Sequence, residues 1–182
     1  MKIAISGPQC TGKTTLLEQI SKDDTFKDFK IIKEVVRTIK KRWEKKGEIF
    51  EFNRSGDKKS QIAILEEHHR NTLNLKNPHY ITDRCSWDAF TYATYNYISG
   101  HFSFEEWVSF KEVFIETISS YDLIIYLPTG LIPMKDDSIR DIDVSFQEEI
   151  GKLFMEIAKE YKIKFILFDS LENRVEYLKS LL

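Results

Sequence analysis

The chain has 182 residues, a formal net charge of −2, 42% hydrophobic residues and 13% aromatic residues. That is enough apolar material for one domain with a full core, and it excludes a disordered chain. No apolar run approaches a membrane span, and Met1-Lys2 leads straight into the first predicted strand without room for a signal peptide.

The two cysteines, Cys10 and Cys85, make no disulfide framework, so a cytoplasmic location is expected. The charge is unevenly spread. Residues 1–60 carry 15 Lys+Arg against 9 Asp+Glu, and the remainder 12 against 20. An anionic ligand would be drawn to the first third of the chain.

Lys2 to Ser6 (KIAIS) is short, apolar and β-branched, and reads as a buried strand; Thr11 to Ile20 reads as a helix. Between them runs Gly7-Pro8-Gln9-Cys10-Thr11-Gly12-Lys13-Thr14, the spacing of a phosphate-binding loop, with Thr15 following. Gly7 and Gly12 permit the backbone to close around a phosphate chain, and the helix offers its free N–H groups to the same anion. Lys13 is expected to reach the outer phosphates and the Thr14 hydroxyl to bind Mg²⁺. Gly7 through Thr15 are therefore the candidate ATP-binding residues.

Phe29 to Lys33 is the second predicted strand, followed by Glu34-Val35-Val36-Arg37 opening a basic helix to about Lys46. A carboxylate beyond a strand's carboxyl end faces the crevice in which α/β sheets bind ligands. Glu34 is thus a candidate base for a substrate hydroxyl and Arg37 a candidate substrate contact, with a helix-start charge and its ion-pair partner as the ordinary alternatives. Residues 47–57 read as a loop and Lys58 to about Leu75 as a long helix, with Gln61 near its start placed to read a ligand edge.

His79 to Thr82 is the third strand, ending in Asp83-Arg84-Cys85-Ser86-Trp87-Asp88. An acidic residue there holds Mg²⁺ or orients the nucleophile in phosphate-loop proteins, which makes Asp83 a candidate for metal and catalysis. Arg84 would supply charge to the transferring phosphate, and Trp87 and Asp88 complete the candidate acceptor contacts. Ala89 to Ser99 is an aromatic helix, and Phe104 to Ser119 an amphipathic one opened by the capping pair Ser103 and Glu106.

Tyr121 to Pro128 is the fourth strand. Thr129 to Val144, rich in turn residues and carrying Lys135 and Arg140, reads as a lid that closes over phosphates. Phe146 to Tyr161, Lys164 to Phe168 and Leu171 to Leu182 are read as helix, fifth strand and last helix. The order implies one α/β domain with a five-stranded parallel sheet between helices.

Taken in order, GPQCTGKT, EVVR, SQIAILEE, ITDRCSWDAFTYATY, YDLIIYLP, DDSIRDID and FDSLENRVEYL resemble the P-loop nucleoside and nucleotide kinases. The nearest likeness is to the family of the ribosylnicotinamide-kinase domain of bacterial NAD-regulator proteins, often labelled AAA-family ATPase. The Asp83-Arg84 turn looks more like the Asp-Arg turn of nucleotide kinases. The resemblance implies strand order 2-3-1-4-5, ATP with Mg²⁺, an acceptor site lined by Glu34, Arg37 and Asp83, and Arg140 as the lid arginine.

The expected activity is transfer of the ATP γ-phosphate to a nucleoside, nucleotide or related small molecule. The rivals are a kinase for nucleic acid, motivated by RTIKKRWEKK from Arg37 to Lys46, and a regulatory ATPase without such an acceptor. No membrane partner is expected, and either a monomer or a homodimer.

Overall fold

A computed structural model describes residues 1–33, 35–48, 58–73, 78–132, 143–170 and 173–182; of residues 37, 58, 68 and 71–73 it describes the backbone. Glu34, residues 133–142 of the expected lid with Lys135 and Arg140, and residues 49–57 of the expected loop lie outside the described residues.

The strands are β1 (Lys2–Ser6), β2 (Lys30–Ile32), β3 (Tyr80–Asp83), β4 (Leu123–Tyr126) and β5 (Ile166–Leu167). They form one parallel sheet in the order β2-β3-β1-β4-β5, as the resemblance implies. Among the described residues seven helices accompany them: α1 (Lys13–Ile20), α2 (Val36–Glu44), α3 (Lys58–Leu73), α4 (Ser86–Ile98), α5 (Phe104–Ile118), α6 (Val144–Tyr161) and α7 (Arg174–Ser180). A 3₁₀ turn at Asp24–Phe26 was not foreseen. No helix among the described residues is long and apolar enough to cross a membrane.

The alternation of side chains along a strand divides the core into two layers. Ile3 and Ile5 of β1 and Ile125 of β4 pack with Leu16, Leu17 and Ile20 of α1 and Leu178 of α7. Ala4 and Ile124 face the other way, into an aromatic layer from α4, α5 and α6 that includes Phe90, Phe114 and Phe154. Both faces are covered, so the central strands are apolar throughout rather than alternating. A third, smaller cluster of Val35, Val36 and Ile39 joins α2 to α3.

Two of the boundary shifts bear on the site. The predicted helix from Ala89 begins at Ser86, because the backbone N–H of Cys85 is bonded to the Asp88 carboxylate at 3.0 Å and closes the first turn three residues earlier. The basic helix begins at Val36 rather than Glu34, behind Val35, whose side chain is buried and gives no cap. The Ser103–Glu106 capping box forms as expected, with bonds of 2.8 and 3.3 Å in the two directions.

Candidate active site

The phosphate loop leaves β1 at the centre of the sheet, where chain connections depart to opposite sides. Leu127 N–H bonds Ser6 carbonyl at 2.9 Å, so β4 runs close alongside the start of the loop. Gly7 takes φ 137° there, and a Cβ on it would collide with the Leu127 carbonyl. Gly12, at φ 86°, hands the chain to α1. Between them Cys10 takes φ 60°, a left-handed conformation uncommon outside glycine that costs of order 1–2 kcal/mol.

Lys13 is buried on the loop itself. Its ammonium bonds the Gly7 and Pro8 carbonyls at 2.7 and 2.5 Å, and the Thr11 hydroxyl at 3.3 Å. Those contacts hold a cation inside a ring of backbone groups of the size that wraps a phosphate chain. Thr14 and Thr15 open α1 on its exposed side.

The register of β1 and β3 brings in the acidic group. Ile5 stands opposite Asp83, and Arg84 N–H bonds the Ile5 carbonyl at 2.9 Å. Asp83 is thereby buried at the strand end, with the Thr14 hydroxyl donating to its carboxylate at 3.3 Å. A hydroxyl and a carboxylate at this spacing are hard oxygen donors beside a phosphate cradle, which suits Mg²⁺ sharing its shell with phosphate oxygens. A cleft of about 260 Å³, lined by Thr14, Asp83, Leu17, Ile31, Lys33 and Thr38, runs from this pair to the end of β2. Lys33 and Thr38 were not foreseen as site residues.

Arg84 also takes a left-handed backbone, φ 76°. Its guanidinium bonds Asp88 at 3.3 Å and lies 5.7 Å from the centre of the Tyr92 ring. Asp88 is buried, and besides Arg84 and Cys85 N–H it accepts from the Ser6 hydroxyl at 2.5 Å and Gly7 N–H at 3.3 Å. With its oxygens so used, Asp88 ties the loop to the Arg84 turn instead of standing open to an acceptor. Burial, with the Asp88 charge second, pushes the Cys85 thiol far above its ordinary pKa.

Trp87 is a correction to the expected acceptor contacts. It is 0% exposed and packs against Tyr126, Phe154 and Phe165 at ring distances of 5.5, 5.1 and 5.4 Å. Adjacent helix positions point about 100° apart, so Asp88 faces the loop while Trp87 joins the core. Gln61 is buried on the first turn of α3, and Arg37 is the second residue of α2. Tyr92 reads from the sequence as a core residue or a surface for stacking a base, and Gln147 was not foreseen; both grip the loop from α4 and α6, Tyr92 hydroxyl bonding Gln9 Oε1 at 2.7 Å and Gln147 Nε2 the Gln9 carbonyl at 2.6 Å.

The basic run on α2 is partly spoken for. Arg42 makes a two-pronged bond to Glu67 of α3, 3.2 Å for each nitrogen, and Trp43 packs on the α2–α3 cluster with the Lys59 ammonium 4.6 Å over its ring. A tryptophan covered in this way is a poor platform for stacking a base.

Known proteins share this fold. A family described as AAA domain matches residues 2–174. No curated protein matches the sequence. Among solved structures, NadR protein in complex with NR superposes with a TM-score of 0.69 at 16% identity, covering 95% of this chain and 44% of that one. The present chain thus spans less than half of the NadR chain. Deoxyadenosine kinase from M. mycoides, with bound dATP, gives 0.65 at 20% identity over 100% of this chain and 98% of that one. The same enzyme with dCTP gives 0.63 at 21% identity. The fold is theirs.

Proposed function

We propose that this chain, which belongs to the AAA domain family matched over residues 2–174, is an ATP- and Mg²⁺-dependent kinase for a nucleoside, nucleotide or related small acceptor. The observation that carries the reading is the pairing of Thr14 with Asp83 at 3.3 Å, next to a loop that holds Lys13 and a turn that holds Arg84. Solved proteins of the same fold, deoxyadenosine kinase and NadR with bound NR, support that class of acceptor.

In this reading the loop N–H groups and the start of α1 bind the β- and γ-phosphates, and Lys13 exchanges loop carbonyls for phosphate oxygens. Thr14 and Asp83 would hold Mg²⁺, which when bound would neutralise charge on those oxygens. Arg84, kept at the loop by Asp88, and Arg140 from the lid segment stabilise the equatorial oxygens of a loose transition state. Asp83 is engaged with Thr14, so Glu34, two residues beyond the end of β2 in the sequence, is the better of the two candidate bases for the acceptor hydroxyl. Arg37 and Gln61 complete the acceptor side.

The test is mass spectrometry of acceptor mixtures (nucleosides, deoxynucleoside monophosphates, nicotinamide riboside and a short DNA with modified bases) incubated with protein, Mg²⁺ and ATP. A species heavier by one phosphoryl group, absent with Lys13→Ala, identifies the acceptor. Product on the DNA alone would support the nucleic-acid kinase instead, and ADP without any phosphorylated partner the regulatory ATPase.

A further inference from the structure

Gln9 is fully buried, and its side chain leaves the loop towards the α4–α6 side of the sheet. Tyr92 hydroxyl grips one end of the amide at 2.7 Å. The other end, Nε2, is buried with no hydrogen-bond partner among the described residues. Turning the amide over changes nothing, since one tyrosine hydroxyl serves one end and the opposite end is left over either way. Such groups are rare in folded proteins because an unmade buried hydrogen bond is costly, and each one calls for a reason. The loop does not supply it. What α6 grips here is the Gln9 backbone carbonyl, which any residue would provide.

The position of the amide says what could complete it. Lys13 is turned to the Gly7 and Pro8 carbonyls of the loop, whereas the Gln9 side chain shares Tyr92 with Arg84, whose guanidinium lies 5.7 Å from the same ring. With Arg84 at the transferring phosphoryl group, as proposed above, a ligand atom beside Gln9 and Arg84 would belong to the reacting end of the acceptor and not to its base. The missing partner is a hydrogen-bonding oxygen.

We propose that Gln9 is a specificity-determining residue whose side-chain amide bonds a second oxygen of the acceptor, next to the reacting hydroxyl. The site then selects ribose-type, polyhydroxylated acceptors over their deoxy analogues, and Tyr92 is the positioning residue that aims the amide. A site built to bond a substrate hydroxyl discriminates strongly against the analogue lacking it, because its own polar group is stranded. The inference rests on the kinase reading above.

The experiment compares kcat/KM for nucleosides and nicotinamide riboside, each paired with its deoxy analogue, in wild type, Gln9→Leu and Tyr92→Phe. Thermal midpoints are followed in parallel. Wild type is expected to favour the hydroxylated member by about tenfold or more, and Gln9→Leu to narrow the ratio to about threefold or less. Tyr92→Phe should fall between them. The midpoint of Gln9→Leu should fall by no more than a few degrees, because the change removes an unpaired buried amide end but strands the Tyr92 hydroxyl. Equal wild-type rates within each pair would overturn the proposal, as would a preference that Gln9→Leu leaves intact. A midpoint several degrees lower with the preference intact would make Gln9 a structural residue only. Absence of any phosphorylated product in wild type would remove the kinase reading and this inference with it, whereas product without a Gln9-dependent preference would remove this inference alone.

Discussion

Ser6 and Asp88, 82 positions apart, are joined by a buried hydrogen bond of 2.5 Å from the serine hydroxyl to the carboxylate. The same carboxylate reaches Gly7 N–H, Cys85 N–H and Arg84. One side chain thus fixes the root of the phosphate loop, the start of α4 and the cation beside the loop. Its charge is matched inside the protein by Arg84, so removing it leaves buried donors and a buried cation unmatched.

Asp88→Ala should therefore cost about 3 kcal/mol or more, a fall in thermal midpoint of about 10 °C for a chain of this size. Asp88→Asn, which keeps an acceptor for Ser6 or Cys85 but loses the charge, should fall about half as far. The discriminating measurement is nucleotide affinity at a temperature where both variants are folded. It should weaken with Asp88→Asn, because the loop and Arg84 lose their common anchor. Unchanged affinity together with an unchanged midpoint would contradict this account of Asp88.

For the Thr14–Asp83 pair, the metal reading separates two conservative changes. Thr14→Ser keeps the hydroxyl and should retain Mg²⁺-dependent nucleotide binding, while Thr14→Val keeps the shape and should weaken it about tenfold or more. Nucleotide binding without Mg²⁺ should differ little between the two. Calorimetric titration of ATP with and without Mg²⁺ checks both statements, and equal losses in both conditions would point to packing rather than to metal.

How much of this was legible beforehand follows from the range of each interaction. The loop could be read because Gly7, Gly12, Lys13 and Thr14 act through local backbone geometry, and the strand-end position of Asp83 because a buried apolar run announces a strand. Strand order came from the resemblance, not from the residues alone. Asp88 and Trp87 show the limit. They are neighbours in the chain, and only the position where α4 starts decides which one meets the loop and which one enters the core. Tyr92 and Gln147 carry no motif. They become partners of Gln9 only through the packing of α4 and α6 against β1 and β4, which no spacing in the sequence encodes. The β5 strand, five residues by pattern and Ile166–Leu167 in the structure, was overextended because an edge strand pairs over only part of its apolar run.

Cys85 should be inert. Its thiol is 2% exposed, and burial together with Asp88 holds it protonated well above neutral pH. Thiolate is the reactive form, so iodoacetamide at pH 8 should leave Cys85 unmodified in the folded protein and label it after denaturation. Peptide mass mapping before and after adding denaturant gives the answer. Rapid labelling of Cys85 in the folded state would show that the β3–α4 turn opens.

The last helix is held to the rest of the chain partly by charge, and this gives stability a predictable response to acid. Lys179 of α7 meets the Asp23 carboxylate at 2.5 Å, and Asp23 also caps the 3₁₀ turn by accepting from Thr25 N–H at 3.0 Å. The Lys179 hydrogen bond, then the bonds from Thr25, lower the Asp23 pKa from 3.8 to about 2. A carboxyl whose folded pKa is depressed contributes stability that is present above its unfolded pKa and is lost as pH falls through the folded value. The contribution should be complete above about pH 4 and disappear by about pH 2. Asp23→Asn, which keeps an acceptor for Thr25 N–H but loses the charge, should therefore be less stable than wild type at neutral pH, with the difference nearly gone below pH 2. The pair is near the surface, so 1 M salt should also reduce the neutral-pH difference. Urea midpoints of the two proteins between pH 2 and pH 7 measure it, and a difference that stays constant across that window would mean that Asp23 acts through the turn rather than through Lys179.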